Sequence, residues 1–322
     1  MKRLIECVPN FSEGRDLAKI ESLVEAMSAV RGALVLDRHS DADHNRTVIT
    51  LAGEPDAVAE AALRGVGYAS RMLDLTQHTG AHPRIGATDV LPFVPLDGRT
   101  IEDCVEIAHR MGREIWRRYR IPIYYYGAAA LRPERANLAH IRSGQFEELG
   151  AAMLRDPARA PDLGEGKLHR TAGAVAVGAR TFLIAFNINL DTADVRVARE
   201  IARSVRASGG GLPHVKAMGV ALESRGLAQV SMNLTDFETT PLDRVFEAVR
   251  SEAERRGCGI AGSEIVGLVP RRAIEMIGAF DLRLAHFSGA QILENRLAAA
   301  LEGTHSNSQR ERAVSRSQGA EA

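Results

Sequence analysis

Two periods of apolar residues organise the second half of the chain. Phe182-Leu183-Ile184-Ala185-Phe186-Asn187-Ile188-Asn189-Leu190 reads as a strand. Val195, Ala198, Ile201, Ala202 and Val205 then recur at the three-to-four spacing of one helix face. Asp191 is the expected cap of that helix, with Asp194 three residues on, and Gly209-Gly210-Gly211 ends it. Strands are predicted over residues 214–222 and 227–234, either side of Glu223-Ser224-Arg225-Gly226, a polar hairpin turn closing on glycine. Thr240 and Pro241 signal a second helix, by a capping hydroxyl and a proline at the first helical position. Its stripe is Leu242, Val245, Phe246, Val249 and Ala253, and a last strand is predicted over 259–266. The order is βαββαβ, the split arrangement of ferredoxin-like sandwiches.

The first half repeats that order. A strand at 4–8 precedes a helix marked by Leu17, Ile20, Leu23, Val24 and Met27. Strands at 33–37 and 47–51 flank the polar segment Ser40-Asp41-Ala42-Asp43-His44-Asn45-Arg46, and Pro55 opens a helix through Val58, Ala62, Val66 and Leu73. Residues 90–94 close the set. An extra helix capped by Thr100 and a strand at 121–125 follow. The expected fold is therefore α/β (α+β): two ferredoxin-like βαββαβ sandwich subdomains, 1–178 and 179–302, whose sheets face one another across a groove. Residues 303–322 carry no aromatic and, Val314 apart, no large aliphatic side chain, so a disordered tail is expected there.

Charge and composition remove several function classes. The 322-residue chain has 41 basic and 41 acidic residues, so no net field favours nucleic acid or an anionic membrane. Aromatics are 5% of residues, too few for the stacking platforms of an RNA-recognition sheet. Cys7, Cys104 and Cys258 cannot all pair within one chain and match no zinc or redox spacing, which fits a reducing compartment. Glu6 and Pro9 come too early for a secretory apolar stretch, and no run approaches the ~20 apolar residues that cross a bilayer. A cytoplasmic protein is expected, with no nucleic-acid or membrane partner.

Candidate chemistry centres on Gly80-Ala81-His82-Pro83-Arg84-Ile85-Gly86-Ala87-Thr88-Asp89. Gly80 permits unusual backbone angles, and Pro83 restrains His82 towards an extended conformation. His82 is thus presented from a connecting segment at the mouth of a sheet, where an imidazole can take and give protons near neutrality. The plain alternative is a turn histidine bonded to backbone. His78 and His82 are four apart, but Gly80 and Pro83 oppose a helix and the HExxH glutamate is missing, so no metal is expected. Ser208-Gly209-Gly210-Gly211 lacks the Gly-Lys-Ser/Thr of a P-loop, and Cys7 reads as a buried strand residue. Asn10 follows the first strand, where a polar group caps a helix or points into a cleft. Asp41 and Asp43 lie in the polar cluster before Arg46, a guanidinium that enters a strand and is expected to need a carboxylate partner. The glycine-rich stretch 161–173 is either a linker or a loop lining the groove.

Together these residues resemble a family. Glu6-Cys7-Val8-Pro9-Asn10-Phe11-Ser12-Glu13-Gly14, Asn45-Arg46-Thr47-Val48, His82-Pro83-Arg84-Ile85-Gly86-Ala87-Thr88-Asp89-Val90, Arg132-Pro133-Glu134-Arg135 and Val177-Gly178-Ala179-Arg180 carry the likeness in the first half. Phe186-Asn187-Ile188-Asn189-Leu190, Val230-Ser231-Met232-Asn233-Leu234 and Gly262-Ser263-Glu264-Ile265-Val266-Gly267 extend it over residues 4–270. The chain resembles the formiminotransferase domain family, folate-dependent enzymes of histidine breakdown. The resemblance implies transfer of a formimino group from N-formimidoyl-L-glutamate to tetrahydrofolate, giving 5-formimidoyltetrahydrofolate and L-glutamate. Tetrahydrofolate is then a co-substrate, and the assembly a homodimer. The resemblance makes His82 the catalytic acid/base. It places Leu163, Gly164, Glu165, Gly166, Lys167, Leu168, His169, Arg170, Thr171 and Ala172 at the folate site. Arg46, Arg84 and Lys216 are candidate contacts for the substrate carboxylates, and Asn10 a further one. The animal bifunctional form has an aspartate where this chain has His39, so Asp41 or Asp43 is the candidate support for His82. That form also continues into a cyclodeaminase domain, which this chain does not reach. Formyl transfer between 5-formyltetrahydrofolate and glutamate, and a non-catalytic folate-binding module, are the competing readings.

Overall fold

Proline has no amide hydrogen to give a β-ladder, and Pro9 breaks the first strand into β1 (Ile5–Cys7) and β2 (Asn10–Phe11). The computed structural model describes residues 4–303. After β2 come α1 (Leu17–Ser28), β3 (Ala33–Asp41), β4 (Arg46–Gly53), α2 (Pro55–Met72) and β5 (Thr88–Pro95). Both pieces of the broken strand lie antiparallel between β4 and β5, and β3 flanks β4. The order β3-β4-β1/β2-β5 is that of a ferredoxin-like sheet. It is then extended by α3 (Ile101–Tyr119), β6 (Ile123–Gly127), the short α4 (Leu138–Arg142), α5 (Gln145–Arg155) and β7 (Val175–Ala179). β7 slots in parallel between β5 and β6, completing a seven-stranded sheet.

The second subdomain comprises β8 (Ile184–Leu190), α6 (Val195–Val205), β9 (Val215–Leu222), β10 (Leu227–Leu234), α7 (Leu242–Arg255), β11 (Ile260–Val266) and α8 (Arg271–Ile277). Its sheet order, β11-β8-β10-β9, is the ferredoxin-like one expected from the sequence. Period-two alternation decides what each face carries. Phe186, Ile188, Leu190, Val230 and Met232 bury against α6 and α7, so Asn187, Asn189 and Gln229 point the other way. Glu264 shares that polar face through its pairing with Asn187.

That polar face turns towards the first subdomain. Leu268 and Leu293 bury against Leu36 and Ala52 of the first sheet. Each such leucine is worth about 1.5–3 kcal/mol of transfer free energy, so the plug holds the two sheets in one relative position. Asp43 accepts hydrogen bonds from the amide and hydroxyl of Ser224, and Arg225 lies 3.8 Å from Asp41.

Several local expectations change. The cap of α6 is Asp194, which accepts from the Arg196 amide, whereas Asp191 holds the Gly259 amide of the neighbouring strand. Thr240 bonds the Pro213 carbonyl, and Pro241 takes the cap position of α7. Leu17 is 72% exposed: at the first position of α1 it lies beyond the reach of the core. β7 and the helices α4 and α5 were not expected: β7 shows no alternation and α4 is a single turn, whereas α5 does present Leu149 and Met153 at helical spacing. A division after residue 178 falls one residue before the end of β7, and Ala179 is buried in the first core. Of the expected tail, Gly303 is helical, and 304–322 lie outside the described residues.

Candidate functional site

Strands β5, β7 and β6 run parallel, so the segments leading into them gather at one end of the sheet. His82 lies on the segment entering β5, and 163–174 lead into β7. Backbone bonds stitch the two together: the Ala87 amide donates to the Ala172 carbonyl, and the Ala174 amide to the Ile85 carbonyl, each near 3.0 Å. Loop 163–172 is therefore not a free linker. Leu163 bridges Ile123, Leu168 packs on the Ile85–Tyr124–Tyr126 cluster, and Thr171 accepts from the Leu75 amide. Gly164 and Gly166 turn with positive φ, and Glu165 and Lys167, 3.5 Å apart, face solvent. His169 accepts the Ala172 amide at 3.0 Å, and Arg170 is exposed.

His82 is 9% exposed and lines a small, tightly packed recess with Ser12, His44, Asn45, Arg46, His78, Arg84 and Asp89. Gly80 does its work through space and not through φ, which lies outside the left-handed region. A Cβ there would meet the His44 carbonyl at 2.5 Å and Asn45 Cβ at 2.8 Å, so only glycine lets the two loops touch. The stretch is tied down by Asn45, whose Oδ1 accepts the Gly14 amide and whose Nδ2 donates to the Thr79 carbonyl, both at 2.8 Å. Asp89 accepts the Ile85 amide at 2.7 Å and pairs with Arg142. Ser12 donates to the Gly86 carbonyl at 2.7 Å.

Neighbouring donors and acceptors set the tautomer of each histidine. Arg46 Nη1 lies 2.7 Å from His82 Nε2, and a guanidinium can only donate. His82 Nε2 is therefore the lone pair, and the ring hydrogen sits on Nδ1, facing the Pro83 carbonyl. His78 Nδ1 accepts from Arg84 Nε at 2.9 Å, so its Nε2 donates to the Asn45 carbonyl. His44 Nε2 faces Gln229 Oε1 at 3.2 Å, and its ring centroid is 5.9 Å from that of His82. Burial, then Arg46, Arg142 and His44, holds the His82 pKa well below the usual histidine value. The ring is a neutral base at rest, able to take a proton and pass it on.

The other candidates divide. Arg46 reaches the recess, but against the expectation of a carboxylate partner its guanidinium meets an imidazole. Arg84 is buried and already forked onto Glu147 at 2.6 and 2.9 Å, so it orders the loop through His78. Lys216 donates to Asn137 Oδ1 at 2.9 Å and is not among the residues lining the recess. Asp41 accepts the His44 amide at 2.8 Å and Asp43 holds Ser224; neither bonds His82. Asn10 donates to the Val8 carbonyl at 2.9 Å. No group of His, Cys, Asp or Glu among the described residues could hold a metal ion.

The sequence showed His44 and Asp89 only inside longer motifs, with no role assigned, and Arg142 and the polar network behind His44 were not expected. That network runs across the second sheet: Gln229 Nε2 donates to Asn189 Oδ1 at 2.9 Å and to Glu264 Oε1 at 3.0 Å, and Asn187 Nδ2 to Glu264 Oε1 at 3.1 Å. A signal existed in the amides at every second position of strands whose other face is apolar.

Comparison with known proteins agrees with this architecture. Residues 4–180 match the formiminotransferase domain, N-terminal subdomain, and residues 185–296 match the formiminotransferase domain. The chain is 48% identical to glutamate formimidoyltransferase of Streptococcus pyogenes serotype M1, over 92% of this chain and 99% of that one. It is 41% identical to glutamate formimidoyltransferase of Thermoplasma acidophilum, over 92% and 98% of the two chains. Formimidoyltransferase-cyclodeaminase of Mus musculus is 42% identical over 87% of this chain and 52% of its own length. With both subdomain matches laid end to end along two ferredoxin-like sheets, the chain belongs to the formiminotransferase family.

Proposed function

We propose that this chain transfers a formimino group from N-formimidoyl-L-glutamate to tetrahydrofolate, yielding 5-formimidoyltetrahydrofolate and L-glutamate, with His82 as the proton-transfer group. The observation that carries the reading is a buried, neutral imidazole with a defined lone pair in a polar pocket of the first subdomain, beside a histidine that bonds Gln229 of the second. The pterin N5 lone pair forms a bond to the amidine carbon, and the carbon–nitrogen π pair moves onto the amidine nitrogen. N5 loses its proton to His82 Nε2. The resulting imidazolium gives that proton to the glutamate nitrogen, the carbon–glutamate bond breaks, and the carbon–nitrogen double bond reforms on the pterin.

Arg46 caps the His82 lone pair. A substrate carboxylate is a stronger acceptor for a guanidinium than imidazole is, so an anionic substrate draws Arg46 away and frees Nε2. Loop 163–172, stitched beside residues 85–87, supplies the folate-binding wall at the same sheet end. Arg84 acts here through the loop it orders, and Lys216 is a further cation for the substrate carboxylates. The reading needs tetrahydrofolate as co-substrate and no metal. It also takes the chain to be a cytoplasmic homodimer, which light scattering after gel filtration checks.

The test is glutamate release from purified protein given both substrates. His82→Ala is expected to lower kcat by about 10²–10⁴-fold, the usual worth of a positioned acid/base. Activity near wild type in that variant removes the assignment. Tight folate binding by the wild type without turnover favours a folate-binding module instead.

A further inference from the structure

His44 has the one ring nitrogen of the recess whose partner is missing: Nδ1 is buried, in a residue 5% exposed, with no hydrogen bond. Its protonation is dictated from the far subdomain. A carboxylate oxygen accepts and never donates, so the Glu264 contact identifies the Gln229 amide nitrogen, and both amide hydrogens are spent on Glu264 and Asn189. Gln229 Oε1 must then accept from His44 Nε2. A neutral imidazole has a single N–H, which leaves Nδ1 as a bare lone pair. Burial lowers the His44 pKa, with Arg46 adding to it against Asp41 and Glu264, so the second nitrogen stays unprotonated.

We propose that His44 is the residue that selects a formimino over a formyl group, its Nδ1 accepting a hydrogen bond from the N–H of the transferred group. The inference rests on the formimino-transfer reading above and adds to it the residue that sets donor specificity. Formimino and formyl donors share a scaffold and differ at one atom. A formimino nitrogen carries hydrogen, whereas a formyl oxygen presents only lone pairs. Against Nδ1 the nitrogen makes a bond and the oxygen meets a lone pair. The formyl group fits only if His44 takes a second proton beside Arg46, or swings its ring and abandons Gln229. His44 lies close enough to His82 for one small group to touch both rings.

The experiment compares kcat/KM for N-formimidoyl-L-glutamate and N-formyl-L-glutamate with tetrahydrofolate. Wild type is expected to prefer the formimino donor by at least about 10²-fold, since sites built around a hydrogen bond reject analogues lacking it. His44→Phe keeps the ring and removes the acceptor. It should cut formimino transfer by about 10²-fold and formyl transfer by less than about threefold. His44→Asn, whose amide oxygen can accept, should retain part of the preference. Gln229→Met touches no substrate but frees the tautomer, and should narrow the preference at least about tenfold. Equal losses on both donors, leaving the ratio within about threefold of wild type in His44→Phe and Gln229→Met, overturn the proposal. If His44→Phe does not fold, the Gln229→Met ratio decides. A wild type active on the formimino donor with unmoved ratios in the variants sinks this inference alone. A wild type that turns over neither donor sinks the function reading and this inference with it.

Discussion

Arg46 and His82 meet at 2.7 Å through Nη1 and Nε2, a contact in which a cation donates to a neutral base. The pairing does two things at once. It assigns the ring tautomer, and it places positive charge where protonation of that ring would have to occur. The carboxylate usually sought beside such a histidine is elsewhere: Asp89 is taken by Arg142, and Asp41 and Asp43 hold the hairpin and the second subdomain.

Replacing Arg46 should therefore show in a pH profile. In Arg46→Met the guanidinium leaves and the His82 pKa rises from its depressed value towards the ordinary one. A base works when unprotonated, so the acid limb of kcat/KM moves to higher pH, and activity at neutrality falls by about 10–10³-fold as the anion contact is lost too. Arg46→Lys keeps the charge without the planar fork and should lie between. An acid limb that stays in place or moves down would show that Arg46 does not govern His82.

Gly80→Ala should damage the site more than the fold. The new Cβ meets the backbone carbonyl of His44, not the end of a flexible side chain, so the loop carrying His82 must move away. A displacement near 1 Å at a catalytic group costs about 10²-fold. Turnover is expected to fall by that order while the thermal midpoint shifts by only a few degrees. Unchanged kcat with intact folding would mean that the close contact does not position His82.

Glu6 is buried with one carboxylate oxygen unpartnered, and burial pushes its pKa from 4.5 up to about 7 against the pull of Arg180. The folded chain therefore binds more protons than the unfolded chain between those values, and stability falls as pH rises through that window. The fall is on the order of 3 kcal/mol. Glu6→Gln should match wild type near pH 4 and exceed its stability by about that amount at pH 8.5. Urea unfolding at the two pH values checks it, and equal midpoints at pH 8.5 would refute it.

The histidines act in the opposite sense. His44, His78 and His82 are all lowered, chiefly by burial, so below the ordinary value of 6.5 the unfolded chain holds the extra protons. Stability should be full above 6.5 and decline as pH falls from there through the lowered values. Measured in a Glu6→Gln background, which removes the carboxyl raised to about 7 and leaves, among the described residues, only the Asp37 carboxyl raised in the same sense, the urea midpoint should drop between pH 6.5 and 5. A flat midpoint over that range would mean that the three rings titrate freely.

Much of this was legible along the chain because it depends on neighbours in sequence. The second subdomain's strands and helices follow the period of its apolar residues, and the hairpin at Gly226 follows from a turn residue with positive φ. His82 stood out because glycine and proline around it exclude regular structure. β7 was not legible, because a strand buried between two others shows no alternation; the Leu149 and Met153 spacing of α5 was a signal left unused. Which groups meet His82 was decided only by the tertiary structure. Arg46 comes from the start of another strand, and Gln229 reaches His44 from a second subdomain. Period and turn chemistry say which side of an element a residue faces. What lies opposite, and hence which nitrogen of each ring carries its proton, depends on how the two sheets are held face to face.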